Sequence, residues 1–104
     1  MLNALENTPV RSAYCDDEDF QELIEMFVDG IEEKKQILSQ TVCSDQIDQL
    51  QTLAHQLKGA GAGYGFHELS QLSAQLEEAC KSEDRIEIAQ QKELLLHHLS
   101  RVVV

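Results

Sequence analysis

The residues of this chain that stop helices are concentrated rather than spread. Pro9 is its only proline, and four of its five glycines lie between Gly59 and Gly65. The long stretches between are rich in Leu, Gln, Glu and Ala, which favour helix. Apolar residues in those stretches recur at helical spacing. Phe20, Leu23, Ile24, Phe27, Ile31 and Leu38 mark a long helix that opens on the acid run Asp16-Asp17-Glu18-Asp19 and reaches about Gln40. Acids at a helix start suit the macrodipole. Gly30 sits inside this helix at a cost of about 1 kcal/mol relative to Ala. Cys43-Ser44-Asp45 is expected to end that element and cap the next. A second helix begins near Asp45, carries Ile47, Leu50, Leu53, Ala54 and Leu57, and must break within Gly61-Ala62-Gly63-Tyr64-Gly65. A third runs from about Phe66 to Cys80 through Leu69, Leu72 and Leu76. Lys81-Ser82-Glu83-Asp84 makes a turn and an N-cap, and a fourth helix carries Ile86, Ala89, Leu95, Leu96 and Leu99. The apolar tail Val102-Val103-Val104 is expected against the bundle.

Four amphipathic helices with short connections predict an all-α fold, an antiparallel up-and-down four-helix bundle. The 104 residues allow one domain with one core. Residues 16–104 are assigned to the bundle. Residues 1–15 form an N-terminal extension with a turn at Asn7-Thr8-Pro9 and room for a short helix around Leu2 and Leu5. Met1 and the compact length favour a free-standing protein.

The net charge of −11 points away from nucleic acid and from anionic membrane surfaces, both of which call for a basic face. The acids are uneven: Asp16 to Glu33 holds nine and no base, so one side should be strongly negative. Cys15, Cys43 and Cys80 are odd in number and widely spaced, which gives neither a closed disulfide framework nor a zinc spacing. With no apolar run of transmembrane length and no signal-peptide pattern, the chain reads as cytoplasmic; a monomer is expected.

The glycine-rich segment is where a bundle alone explains too little. At about 100° per residue, Ile47, Leu50, Leu53, Ala54, Leu57 and Gly61 fall in an arc of roughly 120°, and His55 lies roughly 130° from its centre. The His55 ring should therefore face solvent. Gly59 follows one turn on, Ala62 continues the same bare strip, and Lys58 leans in from one side. Close helix packing accounts for Gly61, and helix termination for Gly65. Neither accounts for Gly59, whose missing side chain instead leaves His55 open to a large partner. Lys58 is the only Lys or Arg between Lys35 and Lys81.

The run Ala54-His55-Gln56-Leu57-Lys58-Gly59-Ala60-Gly61-Ala62-Gly63-Tyr64-Gly65-Phe66 resembles the signature of histidine-containing phosphotransfer (HPt) domains, His-x-x-Lys-Gly followed by small residues. The resemblance extends to Phe20–Phe27 upstream and Leu69–Glu77 downstream, and covers about Asp16 to Leu99. It implies a phosphocarrier, not an enzyme with its own ATP site, and the chain has no Gly-x-x-x-x-Gly-Lys-Ser/Thr loop. By this resemblance His55 is the phosphoacceptor, Lys58 stabilises the phosphoryl group, and Glu77 orients the imidazole. Gly59, Gln51 and Ala62 are the docking positions. The implied partners are response-regulator receiver domains and a hybrid or chemotaxis-type histidine kinase. No cofactor or metal is expected on this chain, the Mg²⁺ being supplied by the receiver. Imidazole suits the role because an unprotonated ring nitrogen is available near neutral pH. A glutamate at position 77, where many relay intermediates have glutamine, looks more like the phosphoacceptor domain of chemotaxis-type kinases.

His67 lacks a neighbouring lysine and an exposed glycine. His97 and His98, being adjacent, point to different faces, so all three are expected to be structural or surface residues. Two other classes compete. A helical adaptor that docks receivers without transfer would not need His55 and Lys58. A metal-binding bundle would need Glu-x-x-His pairs, which the sequence lacks.

Overall fold

A computed structural model of the protein describes residues 8–40 and 46–104. The chain forms α1 (Glu18–Asp29), α2 (Ile31–Gln40), α3 (Ile47–Gly63), α4 (His67–Ser82) and α5 (Arg85–Arg101). The expectations for Leu2, Leu5 and Asn7 and for the Cys43-Ser44-Asp45 cap lie outside the described residues.

The acid run starts α1 as its chemistry requires. The Asp17 side chain accepts from the Asp19 N–H at 2.9 Å, and Glu18 and Asp19 fill the first turn. The single long helix expected to Gln40 is interrupted at Gly30. There φ is −86° and ψ −5°, and the Gly30 N–H is shared between the Met26 and Phe27 carbonyls. Glycine is the one residue of this stretch with no side chain to hold it helical. The interruption costs one residue and no register, because Lys34 N–H still bonds the Gly30 carbonyl and Ile24, Phe27, Ile31 and Leu38 form one buried stripe. Together α1 and α2 make the first member of an antiparallel four-helix bundle. Leu23, expected on that stripe, is 43% exposed.

In α3 the buried residues are Leu50, Leu53, Ala54, Leu57 and Gly61, and Gln46 stands at its N-cap, its side-chain Nε2 donating to Gln49 Oε1 at 3.4 Å. The glycine corner closes it. Gly65 has φ +83°, the left-handed conformation that glycine adopts freely, and the Phe66 N–H reaches back to the Gly61 carbonyl at 2.7 Å. Phe66 is thereby turned into the core, where its ring lies 5.5 Å from that of Phe27, with Tyr64 at 5.4 Å from the same ring.

Helix α4 extends to Ser82, past the expected end at Cys80, and stops at Glu83 in the left-handed conformation. Asp84 then caps α5 through the Glu87 N–H. The buried side of α5 is Ile88, Leu95, His98 and Leu99: of the expected stripe, Leu95 and Leu99 are buried and Leu96 half-buried, whereas Ile86 and Ala89 are exposed. Ile86 is 74% exposed; at about 100° per residue it falls opposite Leu95.

Residues 8–15 are fastened to the C-terminal tail and to the glycine corner after α3. Val10 pairs with the C-terminal tail, its N–H bonding the Arg101 carbonyl at 2.8 Å and its carbonyl accepting from Val103 at 2.9 Å. Ser12 Oγ donates to the Tyr64 carbonyl, and the Ala13 N–H to Gly65. Of the tail, Val102 is buried and Val104 is half exposed.

Candidate functional site

The site lies where α3 faces α4, and a small residue sets how close the two helices come. A Cβ added to Gly61 would stand 2.9 Å from the Ser70 backbone N and 3.0 Å from the Phe66 carbonyl oxygen. Ser70 also crosses the seam, its Oγ donating to the Lys58 carbonyl at 2.9 Å. This close approach lets side chains of α3 reach partners on α4 two turns further along.

His55 projects from the side of α3 away from the core, with 66% of its side chain exposed. Its Nδ1 lies 2.9 Å from Oε2 of Glu77 on α4. Glu77 is only 7% exposed, while Glu78 beside it points to solvent. Lys58 Nζ donates to the other oxygen, Oε1, at 2.8 Å, and Lys81 Nζ stands 3.9 Å from Oε2. The Lys58 contact holds the Glu77 carboxyl below its ordinary range; burial opposes this, and His55 adds to the lowering. An ionised carboxylate only accepts hydrogen bonds, so His55 Nδ1 carries the hydrogen. In the neutral ring the free lone pair is then on Nε2, in the exposed part of the imidazole.

The surroundings are bare. A Cβ added to Gly59 would meet no atom within 4 Å, and the same is true of Gly63. Gly63 is thus not a packing glycine, whereas Gly61 is. Ala62 is exposed and Gln51, one turn before His55, is half-buried. The expected residues His55, Lys58 and Glu77 come together in one cluster, with Gly59, Gln51 and Ala62 along the same helix. Two participants were not anticipated. Lys81, read as part of a turn, is the last basic residue of α4 and lies four residues after Glu77, a spacing that brings charges together on a helix. Ser70 left no comparable signal, because its role depends on the closeness of α3 and α4.

The other histidines lie elsewhere. His67 is exposed and His97 half-buried. His98 is 2% exposed, with both ring nitrogens lacking a hydrogen bond and Glu68 Oε1 at 3.8 Å from Nδ1. Among the described residues no group of three or more His, Cys, Asp and Glu side chains is placed to hold a metal ion. No described helix is long and apolar enough to cross a membrane.

A family model described as the Hpt domain matches residues 22–103, most of the chain. The protein belongs to the Hpt domain family, whose members serve histidine phosphotransfer in two-component signalling, alongside response regulators and histidine kinases. No curated protein and no solved structure matches the chain. The match begins within α1, so the fastening of residues 8–15 lies outside it.

Proposed function

We propose that this protein is a phosphocarrier of a two-component phosphorelay, accepting a phosphoryl group on His55 Nε2 and exchanging it with receiver-domain aspartates. The observation that carries the proposal is an exposed histidine whose Nδ1 is tied to Glu77 while the surface one turn on, at Gly59, is open.

The chemistry follows from that arrangement. The Nε2 lone pair forms a bond to phosphorus as the P–O bond to the receiver's aspartyl oxygen breaks, and the electron pair leaves on that carboxylate. Nδ1 keeps its hydrogen throughout, and the positive charge that develops on the ring is met by Glu77. Lys58, 39% exposed, is long enough to turn from Glu77 toward the phosphoryl oxygens. Positioning and charge neutralisation supply most of the catalysis in phosphoryl transfer. The Mg²⁺ used belongs to the receiver's acidic pocket and not to this chain. Gln51, Gly59 and Ala62 make the strip on which the receiver rests. The protein works in the cytoplasm as a monomer and has no kinase activity of its own.

The Glu77 carboxylate supports a second reading, in which the chain is the phosphoacceptor domain of a chemotaxis-type kinase. Incubation with phosphorylated receivers from the source cell separates these. Acid-labile, base-stable label on the wild type and none on His55→Gln is the expected result. Labelling only by a kinase's ATP-binding domain favours the second reading, and equal labelling of His55→Gln removes the site assignment.

A further inference from the structure

Glu77 carries more cationic company than orienting one imidazole requires. The groups facing its carboxylate are His55 and Lys58 from α3 and Lys81 from its own helix, at 2.9, 2.8 and 3.9 Å. Lys58 and His55 make direct contacts, whereas Lys81 stands about an ångström short of one, with 52% of its side chain exposed. In the free protein Lys81 is therefore close but uncommitted. The proposed phosphotransfer makes two demands on the single charge of Lys58, which is then shared between Glu77 Oε1 and a phosphoryl group on His55. A covered carboxylate that loses its cation is destabilised, and takes up a proton more readily. Protonation would end its service to the ring at the moment the charged ring needs it.

We propose that Lys81 is the reserve counter-ion of Glu77, closing onto the carboxylate when Lys58 turns to the phosphoryl group. The proposal rests on the reading of His55 as phosphoacceptor and adds a positioning residue to it. Glu77 precedes Lys81 by four residues on α4, the more favourable order for such a pair, and a rotamer change suffices to shorten the contact. The hand-over keeps Glu77 ionised, keeps hydrogen on Nδ1, and leaves the ring a good leaving group for the onward step. Lys81 touches neither phosphorus nor the attacking nitrogen.

The hand-over can be tested without any receiver. Carboxyl-carbon NMR of Glu77 and ring-nitrogen NMR of His55 are recorded across pH for wild type, Lys58→Met, Lys81→Met and the double variant. Both lysines reach the surface, and circular dichroism checks that each variant is folded. Either single variant is expected to keep Glu77 titrating below its ordinary range and hydrogen on Nδ1. The double variant is expected to raise the Glu77 midpoint by about one pH unit and to mix the ring tautomers. Lys81→Arg in the Lys58→Met background should restore both. Chemical phosphorylation of His55 by phosphoramidate then engages Lys58, so Lys81→Met alone should show the raised midpoint. A Lys58→Met protein as perturbed as the double variant overturns the proposal, as does an unshifted Glu77 in phosphorylated Lys81→Met. Because phosphoramidate replaces the receiver, failure to exchange with receivers counts against the phosphorelay reading while leaving these titrations decisive for Lys81.

Discussion

Three glycines within one helical turn and a half have two kinds of surroundings, open at Gly59 and Gly63 and closed at Gly61, and their substitutions separate accordingly. Gly59 faces open space, so Gly59→Gln should leave helicity unchanged and gain up to about 1 kcal/mol of stability from propensity. It should nevertheless slow transfer from a receiver by about tenfold or more, by displacing the partner from in-line geometry. Stopped-flow transfer and thermal denaturation of the same variant check both halves; an unaltered rate removes the docking role of this position. Gly61→Ala should instead lower stability. Its Cβ would meet backbone at 2.9 and 3.0 Å, forcing α3 and α4 apart at a cost of about 1–3 kcal/mol. Gly63→Ala, with nothing within 4 Å, should be neutral to stabilising.

At the scale of the helices, the interruption between α1 and α2 makes a second kind of glycine prediction. A Cβ at Gly30 would stand 3.4 Å from the far end of Lys34 and in ordinary contact with the Phe27 and Met26 carbonyls, at 3.6 and 3.7 Å, and φ there is −86°. Gly30→Ala should therefore join the two segments more firmly and raise stability by up to about 1 kcal/mol. Gly65→Ala should lower it by about 1–3 kcal/mol, since φ is +83° and the new Cβ would sit 2.6 Å from Ser12 Oγ. Denaturant midpoints of the two variants should move in opposite directions. The helices themselves were legible from apolar spacing, and so was the facing of His55, because Leu50, Leu53, Ala54 and Leu57 define one unambiguous core side. The apolar spacing of α5 places Leu95 and Leu99 correctly but misleads in its first half, where Ile86 and Ala89 are apolar yet exposed while Ile88 lies on the inner face. Composition cannot rank two apolar stripes on one helix; only the neighbours choose. The break at Gly30 was hidden for a related reason, since the stripe passes through it in register.

For the whole molecule, legibility was limited by contacts distant in sequence. Val10 with Val102, Ser12 with Tyr64 and Ser70 with Lys58 leave no local pattern. The histidine buried in α5 has the clearest global consequence. Burial, the largest influence, pushes His98 below its ordinary value of 6.5, with Glu68 opposing and Arg101 and His97 adding. The unfolded chain thus binds this proton first, and stability should fall as pH drops below 6.5 toward the lowered value. Glu77 acts in a separate window. Its contribution is present above 4.5 and is lost as pH falls through its lowered value. Urea midpoints between pH 7.5 and 5 should decline for wild type and flatten for His98→Leu; an equal decline in both would place the effect elsewhere.

Whether the bundle carries phosphoryl groups, and does not merely accept them, is answered by a chase. Protein labelled on His55 is mixed with each receiver domain of the source cell and Mg²⁺, and the label is followed by gel and by phosphorus NMR. The expected result is loss of phosphohistidine matched by acid-stable, base-labile aspartyl phosphate on at least one receiver, faster for wild type than for Gly59→Gln. Label that stays on His55, or leaves only as inorganic phosphate at its rate without receivers, would contradict a phosphocarrier role.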